Sequence, residues 1–196
     1  MINIKELSEN YHRSFPEYPP LHINGNWIYG VWFLGNNYKG SGYYGSYPPT
    51  YLKRIRSIFT KDQYPNEKVL QLFSGSLNKE DFGIKFDIKN VNNLTENFVQ
   101  GDVHKLSEYF TPVCFDLILC DPPYSIEDAE HYGSSMIKRN TVLKECHKVI
   151  SKGGVLVWLD QVLPQFSKKN WNLFGSIGIV RSTNHRVRFV FFFERI

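Results

Sequence analysis

Cysteine is scarce in this 196-residue chain, and the three present, Cys114, Cys120 and Cys146, form no C-x-x-C pair. Their odd number and spacing exclude a disulfide framework and a zinc ribbon. Two of them lie in or beside an apolar run, so they read as buried free thiols of a reducing compartment. No stretch reaches the ~18 consecutive apolar residues of a membrane span. The segment Met1 to Asn10 lacks the apolar centre of a secretory leader. A cytoplasmic location and no membrane partner are therefore expected. No His/Cys/Asp/Glu cluster has metal-ligand spacing, so no metal is expected. Nothing resembles the nucleophile elbow that a hydrolase triad would need. Internal repeats and low-complexity tracts are absent. Excess charge is modest as well. A net +4 and a pI near 8.8 fall short of the basicity that would by itself argue for nucleic acid.

Aromatics are what the chain has in abundance, at 16% of residues. That suits base stacking, although filling a core accounts for most of these rings. Residues 21–45 interleave Trp27, Tyr29, Trp32, Phe33, Tyr38, Tyr43 and Tyr44 with six glycines. Ile28–Leu34 reads as a strand and 36–45 as a flexible loop. The segment is either a packed hairpin at the domain edge or a mobile aromatic loop over substrate or cofactor.

The centre of the chain is Phe115-Asp116-Leu117-Ile118-Leu119-Cys120-Asp121-Pro122-Pro123-Tyr124. The apolar run reads as a buried strand. Two prolines cannot continue a central strand, so Asp121 and Tyr124 fall where a strand stops and the backbone stiffens. Ligands of open α/β sheets bind at such carboxyl ends.

Asp-Pro-Pro-Tyr after a hydrophobic strand resembles the catalytic motif of the amino-group DNA methyltransferases. These S-adenosylmethionine enzymes methylate exocyclic amines of bases, adenine N6 or cytosine N4. The acid in first position is similar to the adenine-N6 members. The resemblance covers roughly residues 45–195. It implies an α/β, Rossmann-like class I methyltransferase fold, with a mostly parallel central sheet ending in an antiparallel hairpin.

It also implies roles. Asp121 and the Pro122 carbonyl would accept both N–H groups of the target amine, favouring a pyramidal nitrogen with a localised lone pair. Pro123 would fix that carbonyl, and Tyr124 would offer a face for the target ring. No covalent nucleophile is required. Leu72-Phe73-Ser74-Gly75-Ser76 resembles the family's F-x-G-x-G cofactor loop, with Leu77 in place of the last glycine. Asp87, ending the next strand, would bind the cofactor's ribose hydroxyls, and Asp102, ending the third, its adenine amino group. Ser46-Tyr47-Pro48-Pro49 resembles the segment that holds the methionine end, through Tyr47 and Pro49; a plain proline-started helix is the other reading. Asn184 and His185 would contact the extruded base, unless Asn184 simply makes the turn. Lys138, Arg139, Arg181, Arg186 and Arg188 could pair phosphates or form a solvated basic face.

The remaining pattern predicts helices over 4–11, 50–59, 104–110, 134–150 (stopped by Gly153-Gly154) and, weakly, 161–168. Strands are predicted at 69–73, 83–88, 98–100 and 155–159, with a hairpin of 173–181 and 186–195. Only Ser74 to Phe82 separates the first two of these strands, too few residues for the usual parallel crossover; the family's first helix must be cut to a turn. The expected division is an aromatic, glycine-rich extension, 1–45, and a methyltransferase domain, 46–196. The expected function is adenine-N6 methylation of nucleic acid, DNA ahead of RNA, with a partner chain or homodimer for target recognition. The alternatives are an RNA adenine methyltransferase and a degenerate nucleic-acid-binding subunit.

Overall fold

The protein is described from a computed structural model, which covers residues 2–35, 47–111, 113–181 and 187–196. Among these residues, nine strands form one sheet in the order β1-β2-β8-β9-β7-β6-β3-β4-β5. They are β1 (His22–Asn24), β2 (Trp27–Leu34), β3 (Val69–Leu72), β4 (Ile84–Asp87), β5 (Phe98–Gln100), β6 (Phe115–Cys120), β7 (Ile150–Asp160), β8 (Trp171–Arg181) and β9 (Val187–Arg195). Strands β5-β4-β3-β6-β7 run parallel, β9 pairs antiparallel to both β7 and β8, and β2 returns parallel to β8. The mostly parallel sheet with its terminal antiparallel pair matches the expected class.

Helices α1 (Ile4–Ser14) and α2 (Tyr51–Ile58) cover one face; α3 (Leu106–Tyr109) and α5 (Arg139–Val149) cover the other. The central strands β3, β6 and the second half of β7 are buried on both faces, which is why they read as largely apolar runs broken only by Gln71, Asp116 and the closing Asp160. Among the described residues, no helix is long and apolar enough to cross a membrane. Cys120 and Cys146 are buried free thiols, whereas Cys114 is half-buried.

Helix α1 starts at Asn3, whose side chain accepts from Glu6 N at 3.3 Å. It turns Leu7 and Tyr11, four residues apart, onto the core. Buried Arg54 of α2 donates to the Tyr11 hydroxyl. Its guanidinium lies 4.1 Å from the Tyr18 ring centroid and 5.5 Å from that of Trp32. One cation among aromatic rings thus joins α1, β2 and α2. The described part of residues 1–45 shares the sheet and the core of the rest.

The short β3–β4 connection holds no helix, as its length required. Gln71 and Lys85, neighbours in register on these strands, are both buried. Gln71 Nε2 donates to Phe82 O at 2.5 Å, and Lys85 Nζ donates to Asp81 O. Polar side chains rising from the sheet pin the loop where a helix would otherwise bring apolar ones.

Several elements differ from expectation: α1 runs on to Ser14 and β7 begins at Ile150, five residues early. The long helix predicted over 134–150 is only α5, from Arg139. Ahead of it stands α4 (Ile126–His131), whose cap Ser125 accepts from Asp128 N at 3.1 Å. Gly133, at φ +62°, ends α4 and turns the chain. At its far end, α5 stops at Val149 and passes directly into β7, before Gly153-Gly154. The helix predicted for 161–168 is absent. Pro164 lies within it and can neither donate to a helical ladder nor let the preceding residue take helical angles freely; the Asp160 carboxylate accepts from the Gln161 and Val162 N–H groups at 2.7 and 3.3 Å. Residues 104–110 divide into a 3-10 turn, Val103–Lys105, and α3.

Candidate active site

Strand pairing brings the carboxyl ends of β3, β4, β5, β6 and β7 to one edge, with Phe73, Asp87, Gly101-Asp102, Asp121 and Asp160 in or just beyond them. A pocket of about 170 Å³ opens at this edge, lined by Tyr47, Phe73, Ser74, Gly75, Ser76, Leu77 and Asp121. Sequence distance gave no hint that Tyr47 and Asp121 would face each other. Register does: Leu72 of β3 pairs with Cys120 of β6, so the residues after each strand meet.

The backbone around the pocket is strained. Thr50 and Phe73 both sit in left-handed conformations, at φ +66° and +58°. Such backbone costs a non-glycine residue about 1–2 kcal/mol and gathers at functional sites. Gly75, at φ +52°, adopts the same region without that cost and turns its N–H to Asp87 Oδ2 at 2.9 Å. Asp87 also accepts from Lys89 N at 3.1 Å. Burial raises its carboxyl above the ordinary range, and the backbone donors of Gly75, Lys89 and Ile88 offset only part of that.

Two buried hydroxyls, Tyr47 OH and Ser74 Oγ, have no hydrogen-bond partner among the described residues. Both belong to pocket-lining residues. Buried polar atoms are almost always paired, so the pocket presents unused hydrogen-bonding capacity. The Tyr47 ring stacks on Tyr51 with centroids 5.0 Å apart. Burial, with the Asp121 charge next, holds the Tyr47 hydroxyl well above its ordinary value, so it is a neutral donor. A pocket with orphaned hydroxyls, a glycine turn and nearby carboxylates fits a polar, hydroxyl-bearing cofactor such as S-adenosylmethionine.

Asp102 ends β5 but does not line the pocket. Its Oδ1 accepts from His104 N at 2.9 Å and lies 2.8 Å from His104 Nδ1. Burial works to raise this carboxyl, but the His104 hydrogen bonds and the neighbouring positive groups leave it below the usual range. Lys138 N donates to His104 Nε2 at 3.0 Å, which assigns the ring proton to Nδ1. His104 was not anticipated. It links the third strand end to the start of α5.

At the carboxyl end of β6, Pro122 and Pro123 are buried and Asp121 and Tyr124 are largely so, each keeping part of its surface open. The Tyr124 hydroxyl donates to Asp121 Oδ1. Arg188 of β9 donates to that hydroxyl at 3.2 Å, and its guanidinium lies 4.5 Å from the Tyr124 ring centroid. Burial pushes the Asp121 carboxyl up to about 7; Arg188 and the Tyr124 hydrogen bond oppose this, whereas Asp160 and Asp128 add to it. Asp121 is thus an acceptor near its ionisation point, with one donor attached and the pocket open to it.

Arg139, expected at phosphates, is occupied elsewhere. It grips Asp160 through Nε and a terminal nitrogen at 2.7 and 3.2 Å, and that nitrogen also donates to Tyr124 O at 3.2 Å. Asp160 is fully buried at the end of β7 and requires a cation. Lys138 is exposed. Asn184, His185 and Arg186 lie outside the described residues, as does the loop 36–45. Asp160 was also missed, although an acid closing an apolar strand is the same signal that marked Asp87 and Asp121.

The described chain superposes on TrmN from Thermus thermophilus with a TM-score of 0.54 and 18% identity, over 78% of this chain and 50% of that one. The fold is that of the class I methyltransferases. This chain spans half of TrmN's length. Weaker similarity joins it to SMU.1697c from Streptococcus mutans, solved in complex with SAH, at a TM-score of 0.45 and 12% identity over 68% and 89% of the two chains. An rRNA methylase from Streptococcus thermophilus gives a TM-score of 0.45 and 10% identity over 69% and 91%. No family model matches the chain, and no curated protein matches it.

Proposed function

We propose that the protein is an S-adenosylmethionine-dependent adenine-N6 methyltransferase acting on nucleic acid, DNA before RNA. One observation carries the proposal: Asp121 borders the pocket and at the same time carries the Tyr124–Arg188 pair. A cofactor site and a site for a flat ring would therefore share one carboxylate.

The bound cofactor supplies an electrophilic methyl group. Tyr47 OH, Ser74 Oγ and the Gly75 turn would hold it, with Asp87 behind the turn. Asp121 and the Pro122 carbonyl would accept the N–H groups of the target amine and aim its lone pair into the pocket. A carboxyl near 7 accepts strongly when ionised and can take the proton released after transfer. The Tyr124 ring would stack on the target base, with the Arg188 guanidinium keeping the ring in place. A base inside a duplex is unreachable, so the enzyme would flip its target or act on single strands.

Incubation with labelled cofactor and mixed DNA and RNA tests this. Methyl on adenine N6, preferentially in DNA, is expected. Label only on guanine or on protein would refute the proposal, and preference for RNA would change its substrate. A second reading, a non-catalytic subunit, is favoured by the helix-free β3–β4 connection. Calorimetry with S-adenosylhomocysteine separates the two: micromolar binding supports the enzyme, and no binding by folded protein supports the subunit.

A further inference from the structure

Charge is segregated along this chain. From Tyr18 to Lys61, and again from Gln161 to Phe193, there is no aspartate or glutamate, and the two tracts together hold ten lysines and arginines. Residues 62–160 hold ten against fifteen acids. The acid-free tracts lie far apart in sequence, yet the sheet order unites their strands: β1, β2, β8 and β9 are contiguous. One side of the sheet thus carries no acid on four successive strands except Glu194, which is buried near the end of β9.

The same strands expose an apolar face. Register sets Phe33, Val180 and Val187 in one row, Val31, Gly178 and Phe189 in the next, and Tyr29, Ser176 and Phe191 in a third. No position in these rows is charged. Phe33 is 77% exposed and Val31 60%, while Tyr29, Val187 and Phe189 are also open to solvent. Phe189 and Phe191 stack with centroids 5.8 Å apart. Gly178 leaves a trough between them and β2, since even an added Cβ there would come no closer than 3.8 Å to Val31 and 3.9 Å to Phe189. The acid beside Phe189 in register, Asp160, is fully buried and held by Arg139.

The position of the face matters. β2 and β8 run parallel to each other, and antiparallel β9 joins them to β7. The Phe33 row therefore lies at the same sheet edge as Asp121, and Arg188 projects from β9 between Val187 and Phe189, reaching Tyr124 from the opposite face.

We infer that this uncharged aromatic face of β2, β8 and β9 is a platform for nucleic acid, on which bases beside the target stack against Phe33, Phe189 and Tyr29. A flat sheet with outward rings accepts any base through its π-face, and its acid-free surroundings do not repel the phosphates that come with it. A second protein surface would match the rings but would not require four successive strands whose only acid, Glu194, is buried. The inference rests on the nucleic-acid methyltransferase proposal and specifies where its substrate lies.

Fluorescence anisotropy with a labelled single-stranded oligonucleotide, at low and at moderate salt, tests it. The wild type should bind, more weakly as salt rises. Phe33→Ala combined with Phe189→Ala should weaken binding at least tenfold, and Val31→Glu, which puts an acid on the face, should do the same. These side chains are exposed, so thermal unfolding and S-adenosylhomocysteine binding should remain as in the wild type. If the wild type methylates DNA while both variants bind the oligonucleotide within twofold of it, the platform is refuted and the enzyme proposal stands. If binding depends on Phe33 but no methyl is transferred, the platform stands and the enzyme proposal fails. A wild type that binds no oligonucleotide overturns the platform. So does a wild-type dimer that these substitutions split without changing oligonucleotide affinity, because the face would then serve self-association.

Discussion

Replacing Asp121 with asparagine should stabilise the protein above neutral pH while abolishing transfer. Asparagine keeps the shape and an acceptor for the Tyr124 hydroxyl but removes a charge that burial disfavours. The carboxyl moves from 3.8 to about 7 in the folded state, and such a rise corresponds to ~4 kcal/mol against the ionised form. Its sign follows from linkage. A carboxyl with a raised folded pKa contributes its full stability below the unfolded value, and that contribution is lost as pH climbs to about 7. The asparagine side chain does not titrate, so the Asp121→Asn variant gains on the wild type through this window. Between pH 5 and pH 8 the gap should widen by about 2–3 kcal/mol. The Arg188 attraction is already contained in the folded value of about 7, and below it wild type and variant alike leave Arg188 facing a neutral side chain. For a domain of this size the widening equals roughly 5–10 °C in Tm. Thermal unfolding of both proteins at pH 5, 6, 7 and 8 measures it. A Tm difference that does not change with pH would refute the argument, because it would mean that the carboxyl titrates at its ordinary value. The same ionisation should appear in the wild-type rate, rising with pH up to about 7 and level beyond.

Two further outcomes follow from single side chains. Arg139→Met leaves the buried Asp160 carboxylate without its cation and should cost about 3–5 kcal/mol in chemical denaturation; adding Asp160→Asn should restore much of it, which a purely phosphate-binding Arg139 would not do. Ser74→Ala removes a buried hydroxyl that has no partner among the described residues, so stability should stay within about 0.5 kcal/mol, while S-adenosylhomocysteine affinity by calorimetry should drop by about 0.5–1.5 kcal/mol.

The central strands were readable because burial on both faces leaves a nearly continuous apolar run, as in Val69–Leu72 and Phe115–Cys120, each with a single polar residue. The absence of the first crossover helix was readable from length alone. Helix α4 was overlooked although Ser125 and Asp128 spell a capping pair. The run 161–168 misled because helical spacing of apolar residues was weighed above Pro164, which interrupts it. At the site, the strand-end acids Asp87, Asp102 and Asp121 announced themselves and Asp160 was missed, and the partners of all four left no signal. His104 beside Asp102, Arg188 over Tyr124 and Arg139 behind it come from other elements. Pairing across tens of residues leaves no local trace.

The sequence by itself determined the class of the sheet, the stiff acid-proline-proline-tyrosine turn and the shortened loop after Phe73, since each depends on the chain's local period, ring constraint or length. The tertiary structure alone decided that β2 lies parallel to β8, that Tyr47 and Ser74 share a pocket with Asp121, and that Arg139 faces inward to Asp160. Strand order and the burial of a charge arise from which surfaces exclude water together, and that is a property of the folded chain as a whole.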